Sequence, residues 1–408
     1  MARFHNCVSI KSITISNGLT RIEEKAFIRC FNLTTIIIPE SVTEIGSYAF
    51  AVWAALTSIN LPNGLTNIGE GAFMNCSNLT TVNIPDSVTE INPHTFEWCR
   101  NLASIVLPND LTKIGAHVFR SCSRLTTIII PDSVTEIGTN AFAFCSDLTS
   151  INLPNRLTKI KEYVFSYCHS LTSVIIPDSV TEIDKQAFSY CDSLTSIIIP
   201  NSVTEIGPGV FFNCSALNSI TLSNRLTKIG ECAFYGCSDL TSIIIPNSVT
   251  EIGSNAFDGC QRLEILHIPI SVTEIKPYTF SKCYNLSSVI LPNGLTKIDP
   301  YAFYKCHNLT SIIIPNSVTK IGYYAFAACS ALTSINLPNG LTNIGECVFA
   351  GCSALTSINL PNGLTNIGEC AFAGCQNLKF PHIPNSVTTI GDDAFNADWD
   401  SDSSSDDE

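Results

Sequence analysis

Cysteines and histidines are the residues of this chain best able to do chemistry. There are 19 cysteines and seven histidines among its 408 residues. Sixteen of the cysteines recur every 23 residues, from Cys7 and Cys30 to Cys375, and Trp53 takes their place once. In such numbers, thiols and imidazoles could form disulfides, bind zinc or supply a nucleophile, so their spacing decides between these chemistries.

The spacing does not favour a catalytic or metal centre. Zinc ligands usually come at close intervals such as Cys-x2-Cys, and neither that spacing nor G-x-S-x-G, a phosphate-binding glycine loop or H-E-x-x-H occurs. No two histidines fall within one interval of the 23-residue period. Catalysis needs dissimilar groups that converge on one point, whereas a periodic chain spreads identical groups along a line. We therefore predict no enzyme activity, no cofactor and no metal.

The periodic cysteines also disfavour disulfides. Side chains in one column of a repeat point in parallel directions, whereas a disulfide needs Cβ atoms that approach to about 3.8 Å. We expect buried, unpaired thiols that act as small hydrophobic residues, which fits a reducing compartment and so the cytoplasm. Cys232, Cys347 and Cys370 lie outside the column, five residues before a column cysteine, and a redox pair there is the alternative.

Other residue types follow the same 23-residue period. Phenylalanine recurs without a gap from Phe4 to Phe395, and isoleucine from Ile22 to Ile390. An internal period of 20–50 residues is typical of solenoids, in which each coil contacts only its neighbours. The sequence predicts one continuous solenoid of about 17 repeats over residues 1–396, beginning in mid-repeat, and an acidic disordered tail over 397–408.

Residues 125–147 illustrate one repeat. Alternating apolar and polar residues from Leu125 to Ile130 predict a strand, which Pro131 ends because proline has no N–H for a ladder. A second short strand follows up to Ile137 and Gly138. Phe142 and Cys145 are three residues apart, the spacing of one helix face, and predict a helical turn. The predicted class is an α/β repeat solenoid with a parallel sheet, a short second strand and a helical turn in each repeat.

The repeat consensus LxxIxIPxSVTxIGxxAFxxC, which covers residues 4–395, resembles the BspA-like (treponemal-type) leucine-rich repeat. The resemblance implies a right-handed coil whose parallel sheet lies on the concave side. It also implies a surface or secreted protein of a bacterium or protist that takes part in adhesion and protein binding. The first residues, MARFHNCVSIKSITIS, lack the apolar run of a signal peptide. A cytoplasmic location is therefore our first expectation, and the cell surface or secretion is the alternative.

Charge and hydropathy narrow the partners further. The net charge is −13, six acids follow Ala397, and no basic patch indicates nucleic acid. No stretch approaches the roughly 20 apolar residues of a transmembrane helix. Ser403, Ser404 and Ser405 each have an acid three residues later, a pattern that predicts phosphorylation. Charges that alternate between repeats, as in Lys113 and Glu136, predict a solvated ladder rather than a site.

The outward positions of the predicted sheet are the candidate protein-binding surface. One outward column is almost entirely serine and threonine, and the other holds a series of isoleucines. Exposed apolar surface commonly marks an interaction site, although β-branched residues also favour strands by themselves. Two repeats depart from the pattern, in LEILHIP and LKFPHIP. The predicted binding residues are Ile129, Ile175, Ile198, Ile244, Glu264, His267, Ile290, Ile313, Lys379, Phe380 and His382.

These observations lead to three hypotheses of function. The first is a non-enzymatic protein-interaction scaffold that binds through its sheet. The second, implied by the resemblance, is a cell-surface adhesin that engages host or neighbouring-cell proteins. The third is a structural rod that associates with itself through uncapped ends. A uniform array offers many equivalent weak contacts, which suits a repetitive partner.

Overall fold

The computed structural model describes Cys7 and residues 9–399 of the chain. The predicted phosphorylation sites and most of the predicted tail therefore lie outside the described residues. The chain divides into two compact units, one ending at Val203 and the other beginning at Thr204. The 23-residue period of the sequence continues through this boundary. That a single solenoid links the units stays a prediction.

Every regular element that the structure describes is a short β-strand. The strands of the first unit are β1 (Ser12–Thr14), β2 (Arg21–Ile22), β3 (Thr35–Ile37), β4 (Glu44–Ile45), β5 (Ser58–Ile59), β6 (Asn67–Ile68), β7 (Thr81–Asn83), β8 (Glu90–Ile91), β9 (Ser104–Val106), β10 (Lys113–Ile114), β11 (Thr127–Ile129), β12 (Glu136–Ile137), β13 (Ser150–Asn152), β14 (Lys159–Ile160), β15 (Ser173–Ile175), β16 (Glu182–Ile183) and β17 (Ser196–Ile198).

The second unit continues the same alternation of longer and shorter strands. Its strands are β18 (Glu205–Ile206), β19 (Ser219–Thr221), β20 (Lys228–Ile229), β21 (Glu251–Ile252), β22 (Ile265–His267), β23 (Glu274–Ile275), β24 (Ser288–Ile290), β25 (Lys297–Ile298), β26 (Ser311–Ile313), β27 (Lys320–Ile321), β28 (Ser334–Asn336), β29 (Asn343–Ile344), β30 (Ser357–Asn359), β31 (Asn366–Ile367) and β32 (Thr389–Ile390).

The strands pair in parallel with a constant offset of one repeat. Thr127 of β11 is paired with Ser150 of β13, and Ser150 in turn with Ser173 of β15. The shorter strands form their own ladder, in which Lys113 of β10 is paired with Glu136 of β12. Most of the described coils therefore contribute one strand to each of two parallel ladders, as the repeat predicted.

The third side of each coil is a series of turns and not the predicted helical turn. The amides of Ala141, Ala143 and Cys145 each donate to the carbonyl three residues earlier. The amides between them donate to the next coil instead, as Phe142 does to the carbonyl of Val164 over 3.0 Å. Asn140 and Phe144 have φ values of 57° and 62°, in the left-handed region that interrupts a helix. The α/β class is thus wrong in this detail, because the described coils contain strands and turns only.

Phenylalanines form the centre of the core. Successive rings stack along the solenoid, with centroids between 5.2 Å (Phe234–Phe257) and 5.9 Å (Phe96–Phe119) apart. The leucine, isoleucine and valine columns of each repeat surround them, and Leu125, Val134 and Phe142 are all fully buried. Since a single coil cannot bury both faces of its phenylalanine ring, the stability of the fold depends on the neighbouring coils that stack against it.

The cysteine column lies beside this stack. The Sγ of Cys145 donates to the carbonyl oxygen of Phe119 in the preceding coil at 3.1 Å, and the same bond recurs along the column, for example from Cys260 to Phe234. Trp53, which replaces the cysteine once, donates from Nε1 to the equivalent carbonyl of Phe27. The column therefore selects a buried, largely apolar side chain that still carries one hydrogen-bond donor.

The cysteines outside the column lie on the turn side of the coil. Cys347 packs with Tyr304, Ala327 and Ala350, and Cys370 lies against the same cluster. Both thiols are free, as is Cys232. Burial raises the pKa of Cys347 and of Cys232 to about 11. Because the thiolate is the reactive form, this environment does not activate these cysteines for redox chemistry.

Trp399 belongs to the predicted tail, yet its side chain packs against the cluster that contains Tyr304 and Ala350. Glycines make room for it, since a Cβ on Gly351 would lie 2.1 Å from Cζ3 of Trp399. The indole fills the space that the missing side chain of Gly351 leaves. Disorder of the tail over 397–408 as a whole stays a prediction.

Charged side chains on the shorter strands form the predicted ladder. Lys113 lies 3.3 Å from Glu136, and Lys228 lies 3.2 Å from Glu251. A hydrogen bond from Lys161 is the main cause of a lowered pKa at Glu136. These groups are partly exposed, and each such pair is worth at most ~1 kcal/mol. The ladder consequently supports register and hydration rather than a site.

We expect Phe142→Ala to lower the free energy of unfolding by about 3–5 kcal/mol, because it leaves a cavity in the phenylalanine stack. Phe144→Ala is the matched control. Its ring is 37% exposed, so we expect a loss of about 1 kcal/mol or less. Urea unfolding followed by circular dichroism measures both. Equal losses would show that the stack does not carry the stability of its coils.

We further expect the column thiols to resist alkylation in the native protein. Burial raises the pKa of Cys76 and of Cys168 to about 12, so little reactive thiolate forms near neutral pH. With N-ethylmaleimide and peptide mass spectrometry, the partly exposed Cys7, Cys232 and Cys370 should react before the buried cysteines of the column. All should react in urea. Column thiols that react in the native state as fast as Cys7 would contradict this packing.

Candidate functional site

The solvent-facing side chains of the longer strands form what we call the sheet face. Each strand buries its central residue and exposes the two that flank it, as in β11, where Ile128 is buried and Thr127 and Ile129 are exposed. Ile129 is 86% exposed, and Ile175 and Ile198 of the same unit are 72% and 67% exposed. The structure places these predicted residues in solvent, and their part in binding stays a prediction.

The second unit carries the same feature. Ile244, Ile290 and Ile313 are exposed, and Ile290 and Ile313 lie on adjacent strands. They line a shallow depression of about 340 Å³ together with Ser288, Ser311 and Pro315. The walls of this depression are apolar side chains, the hydroxyls of Ser288 and Ser311 and the amide of Asn293.

The two exceptional repeats differ from each other in structure. His267 lies on the sheet face in β22 and is paired with Ile290 in β24, and Glu264 is exposed directly before that strand. Lys379, Phe380 and His382 are exposed but belong to no strand, because Pro381 has no N–H for the ladder. The ring of Phe380 lies 5.1 Å from that of Phe395 instead. Only the first of these repeats extends the sheet face.

The turn side of the first unit contains a cleft that the sequence did not reveal. Its volume is about 280 Å³ and its lining residues are Trp98, Arg100, Arg120, Ser121, Ser123, Phe144, Ser146, Tyr167 and His169. The rings of Phe144 and Tyr167 stack with centroids 4.5 Å apart. Ser121 occupies the equivalent position between Trp98 and Phe144, so one ring of the ladder is missing there.

Arg120 occupies the gap in this aromatic ladder. Its Cζ lies 5.5 Å from the ring of Trp98 and 5.3 Å from that of Phe144, within the range of cation–π contact. Its Nη1 lies 3.0 Å from Oε1 of Glu97, which fixes the guanidinium. Aromatic faces beside a fixed guanidinium are suited to planar or anionic groups.

Glu97 also belongs to a cluster with two histidines. Its other oxygen, Oε2, lies 2.6 Å from Nδ1 of His94, and the rings of His94 and His117 stack with centroids 4.7 Å apart. Burial, followed by the neighbouring His94, lowers the pKa of His117. One donor atom from each of the three side chains lies within 4.8 Å of the others.

Sequence reasoning missed this cluster because it compared histidines within one repeat. His94 and His117 are 23 residues apart and so occupy one column on adjacent coils. The same arithmetic places Trp98, Phe144 and Tyr167 in a single column. The period of the chain was therefore the signal that could have found both groups.

Among the described residues, none forms a helix with the length and apolar character needed to cross a bilayer. The candidate binding surfaces of the described residues are the sheet face and the turn-side cleft.

Comparison with known proteins agrees with this architecture. The family model described as the BspA type leucine rich repeat region, in six copies, matches residues 1–124, 89–218, 204–331 and 296–400. A leucine-rich repeat protein from Bacteroides ovatus is 32% identical, with a TM-score of 0.55 and coverage of 86% of this chain and 87% of that one. The comparison with curated proteins gave no match.

Two further solved structures are similar. A leucine rich cell surface protein from Faecalibacterium prausnitzii is 33% identical, covers 69% of this chain and 87% of its own, and has a TM-score of 0.46. A leucine-rich repeat protein from Eubacterium ventriosum is 26% identical over 82% of this chain and 86% of its own, with a TM-score of 0.49. From the family-model match and the Bacteroides ovatus structure together, the chain belongs to the BspA-type leucine-rich repeat family.

Proposed function

We propose that this protein is a non-enzymatic scaffold that binds protein partners through its sheet face. The observation that carries the proposal is the set of isoleucines exposed on that face. The family consists of repeat proteins that typically serve in protein interaction or surface adhesion and are not generally enzymatic. The partner contacts would therefore be made by a repeated surface and not by a single catalytic cleft.

Strand formation does not by itself explain these isoleucines. The same outward column holds polar residues in other coils, namely Asn83, Asn152 and Thr221. Each of them is exposed and lies in a strand whose central residue is buried or half-buried. A polar residue thus serves the strand equally well. An isoleucine in water exposes apolar area that a partner would bury, at roughly 25 cal/mol for each Å².

The composition of the sheet face also fits a protein partner. From β9 to β17 its outward positions hold serine, threonine, valine, isoleucine and asparagine and no charged residue. Depletion of charge is the compositional signal of the centre of an interface. The hydroxyls that accompany each apolar residue can accept and donate hydrogen bonds at its rim. A flat partner surface that is itself apolar and repetitive matches this pattern.

Replacing Ile129, Ile175 and Ile198 together by threonine should lower partner affinity at least tenfold. Each isoleucine contributes up to about 1.5–3 kcal/mol when fully buried, and 1.4 kcal/mol corresponds to a factor of ten. Threonine keeps the strand preference, so the unfolding midpoint should not change. Ile270→Thr is the control, because this residue is 78% exposed but lies outside the strands.

The measurement is capture from an extract of the source organism by the immobilised wild type, the triple variant and the control, followed by quantitative mass spectrometry. A protein that the wild type and control retain but the triple variant loses supports the proposal. Equal retention by all three proteins contradicts it. If the retained protein is this chain itself, the sheet face joins copies of the chain and the partner is a second copy rather than another protein.

We infer a reducing compartment, and therefore the cytoplasm, from the thiols that recur along the cysteine column, with Trp53 as the one interruption, and form no disulfide. The cell surface is the alternative that membership of the family suggests. Intact source cells should leave the protein unlabelled by a membrane-impermeant amine reagent, and lysed cells should label it. Labelling of intact cells would overturn the cytoplasmic location and make the surface adhesin the better function.

A further inference from the structure

The cluster of His94, Glu97 and His117 has a feature that packing does not explain. Nδ1 of His117 is buried and has no hydrogen-bond partner. Buried polar atoms are nearly always paired, and an unpaired one costs about 1–3 kcal/mol. The ring stacks on that of His94, with an interplanar angle of 8° and centroids 4.7 Å apart.

The carboxylate that faces these rings is also unusual. The side chain of Glu97 is only 5% exposed, although glutamate is rarely buried without partners. One oxygen is held by Arg120 at 3.0 Å and the other by His94 at 2.6 Å. Arg120 thus orients the carboxylate of Glu97, as hydrogen-bond partners that do not themselves touch the metal commonly orient metal ligands.

We propose that His94, Glu97 and His117 bind a divalent transition metal, with zinc as the ion that fits best. Two imidazoles and one carboxylate are a common ligand set for zinc, and three protein ligands leave one position for water. Imidazole nitrogen disfavours calcium and magnesium, which prefer oxygen ligands. The metal would take the place of the proton between His94 and Glu97 and would give the orphaned nitrogen of His117 a partner.

Binding needs a local rearrangement in which the two stacked imidazole rings tilt so that their nitrogen lone pairs converge on one ion. Zinc bonds of about 2.0–2.2 Å place tetrahedral ligand atoms about 3.3 Å apart, so the gap of 2.6 Å between His94 and Glu97 must widen. The donor atoms already lie within 4.8 Å of one another. Arg120 keeps its bond to the other oxygen of Glu97 and so acts as a positioning residue. Its charge is already opposed by that carboxylate.

A metal at this position would link two adjacent coils. His94 and Glu97 belong to one coil and His117 to the next, and Arg120 extends from the same group into the aromatic cleft. Metal binding would therefore fix one wall of the cleft. This inference is independent of the sheet face and of whatever protein binds there.

Cobalt and zinc binding by the full-length reduced protein tests the proposal. We expect one zinc ion per chain by calorimetry, and visible bands typical of four-coordinate cobalt without a thiolate charge-transfer band. His117→Gln and Glu97→Gln should each weaken binding at least tenfold. His169→Gln is the matched control, because His169 pairs with Asp192 at 2.7 Å outside the cluster, and it should bind as the wild type does.

Absence of stoichiometric binding by the wild type would overturn the proposal. So would a thiolate band, which would place the metal on cysteines, or unchanged binding by His117→Gln. Circular dichroism shows whether the variants fold. If they do not, the wild type still decides the question. Zinc should slow modification of His94 by diethyl pyrocarbonate and leave that of His169 unchanged, and equal rates at both would contradict the site.

Discussion

The hydrogen bonds between coils, at a constant offset of about one repeat, are the interaction on which the rest of this structure depends. On the strand sides of a coil the amides donate to both neighbouring coils, as Thr135 does to Thr112 of the preceding coil and Ile84 does to Val106 of the following one. On the turn side alternate amides donate to the following coil, as Phe142 does to Val164. Because buried backbone groups must be paired, no coil is complete without both neighbours. A change in repeat length would leave the backbone groups along a whole side of the coil without hydrogen-bond partners.

This register explains why the columns of the sequence are so uniform. Phenylalanine recurs because a ring stacks best on an equivalent ring, and the cysteine recurs because each Sγ reaches a phenylalanine carbonyl of the preceding coil. Trp53 shows what the cysteine position requires, since a much larger side chain is accepted there and donates to the same carbonyl. The column thus selects a donor and burial, and the chemistry of the thiol is secondary.

Much of the fold could be predicted from the period alone. The period predicts the two strand ladders, the buried phenylalanines and the pairing of Lys113 with Glu136. The helical turn was wrong because the spacing of Phe142 and Cys145 is common to a helix and to consecutive turns, and only the acceptor in the next coil separates them. The sequence did contain one signal against a helix. The left-handed positions at the ends of this segment often hold glycine or asparagine, as at Gly71, Asn140 and Gly236.

The candidate sites were harder to predict because their residues are neighbours in space and not in sequence. His94 and His117 are in contact only because they are one 23-residue repeat apart and so lie on adjacent coils. Arg120 contacts Trp98 and Phe144 for the same reason. Both groups lie at or beside the left-handed positions, where His94, His117, Trp98 and Phe144 all have positive φ. At these left-handed positions the register fixes the backbone hydrogen bonds, so the identity of the side chain is free to vary.

The two variable surfaces of the coil therefore suit different partners. On the sheet face, side chains stand on strands about 4.8 Å apart and all point one way, which fits an extended partner and repeated weak contacts. On the turn side, stacked rings and their polar neighbours converge within single cavities, which fits a small ligand or an ion. A repeat protein that varies both surfaces can keep one uniform core and still differ locally. We expect the residues that depart from the consensus to set the specificity of each surface.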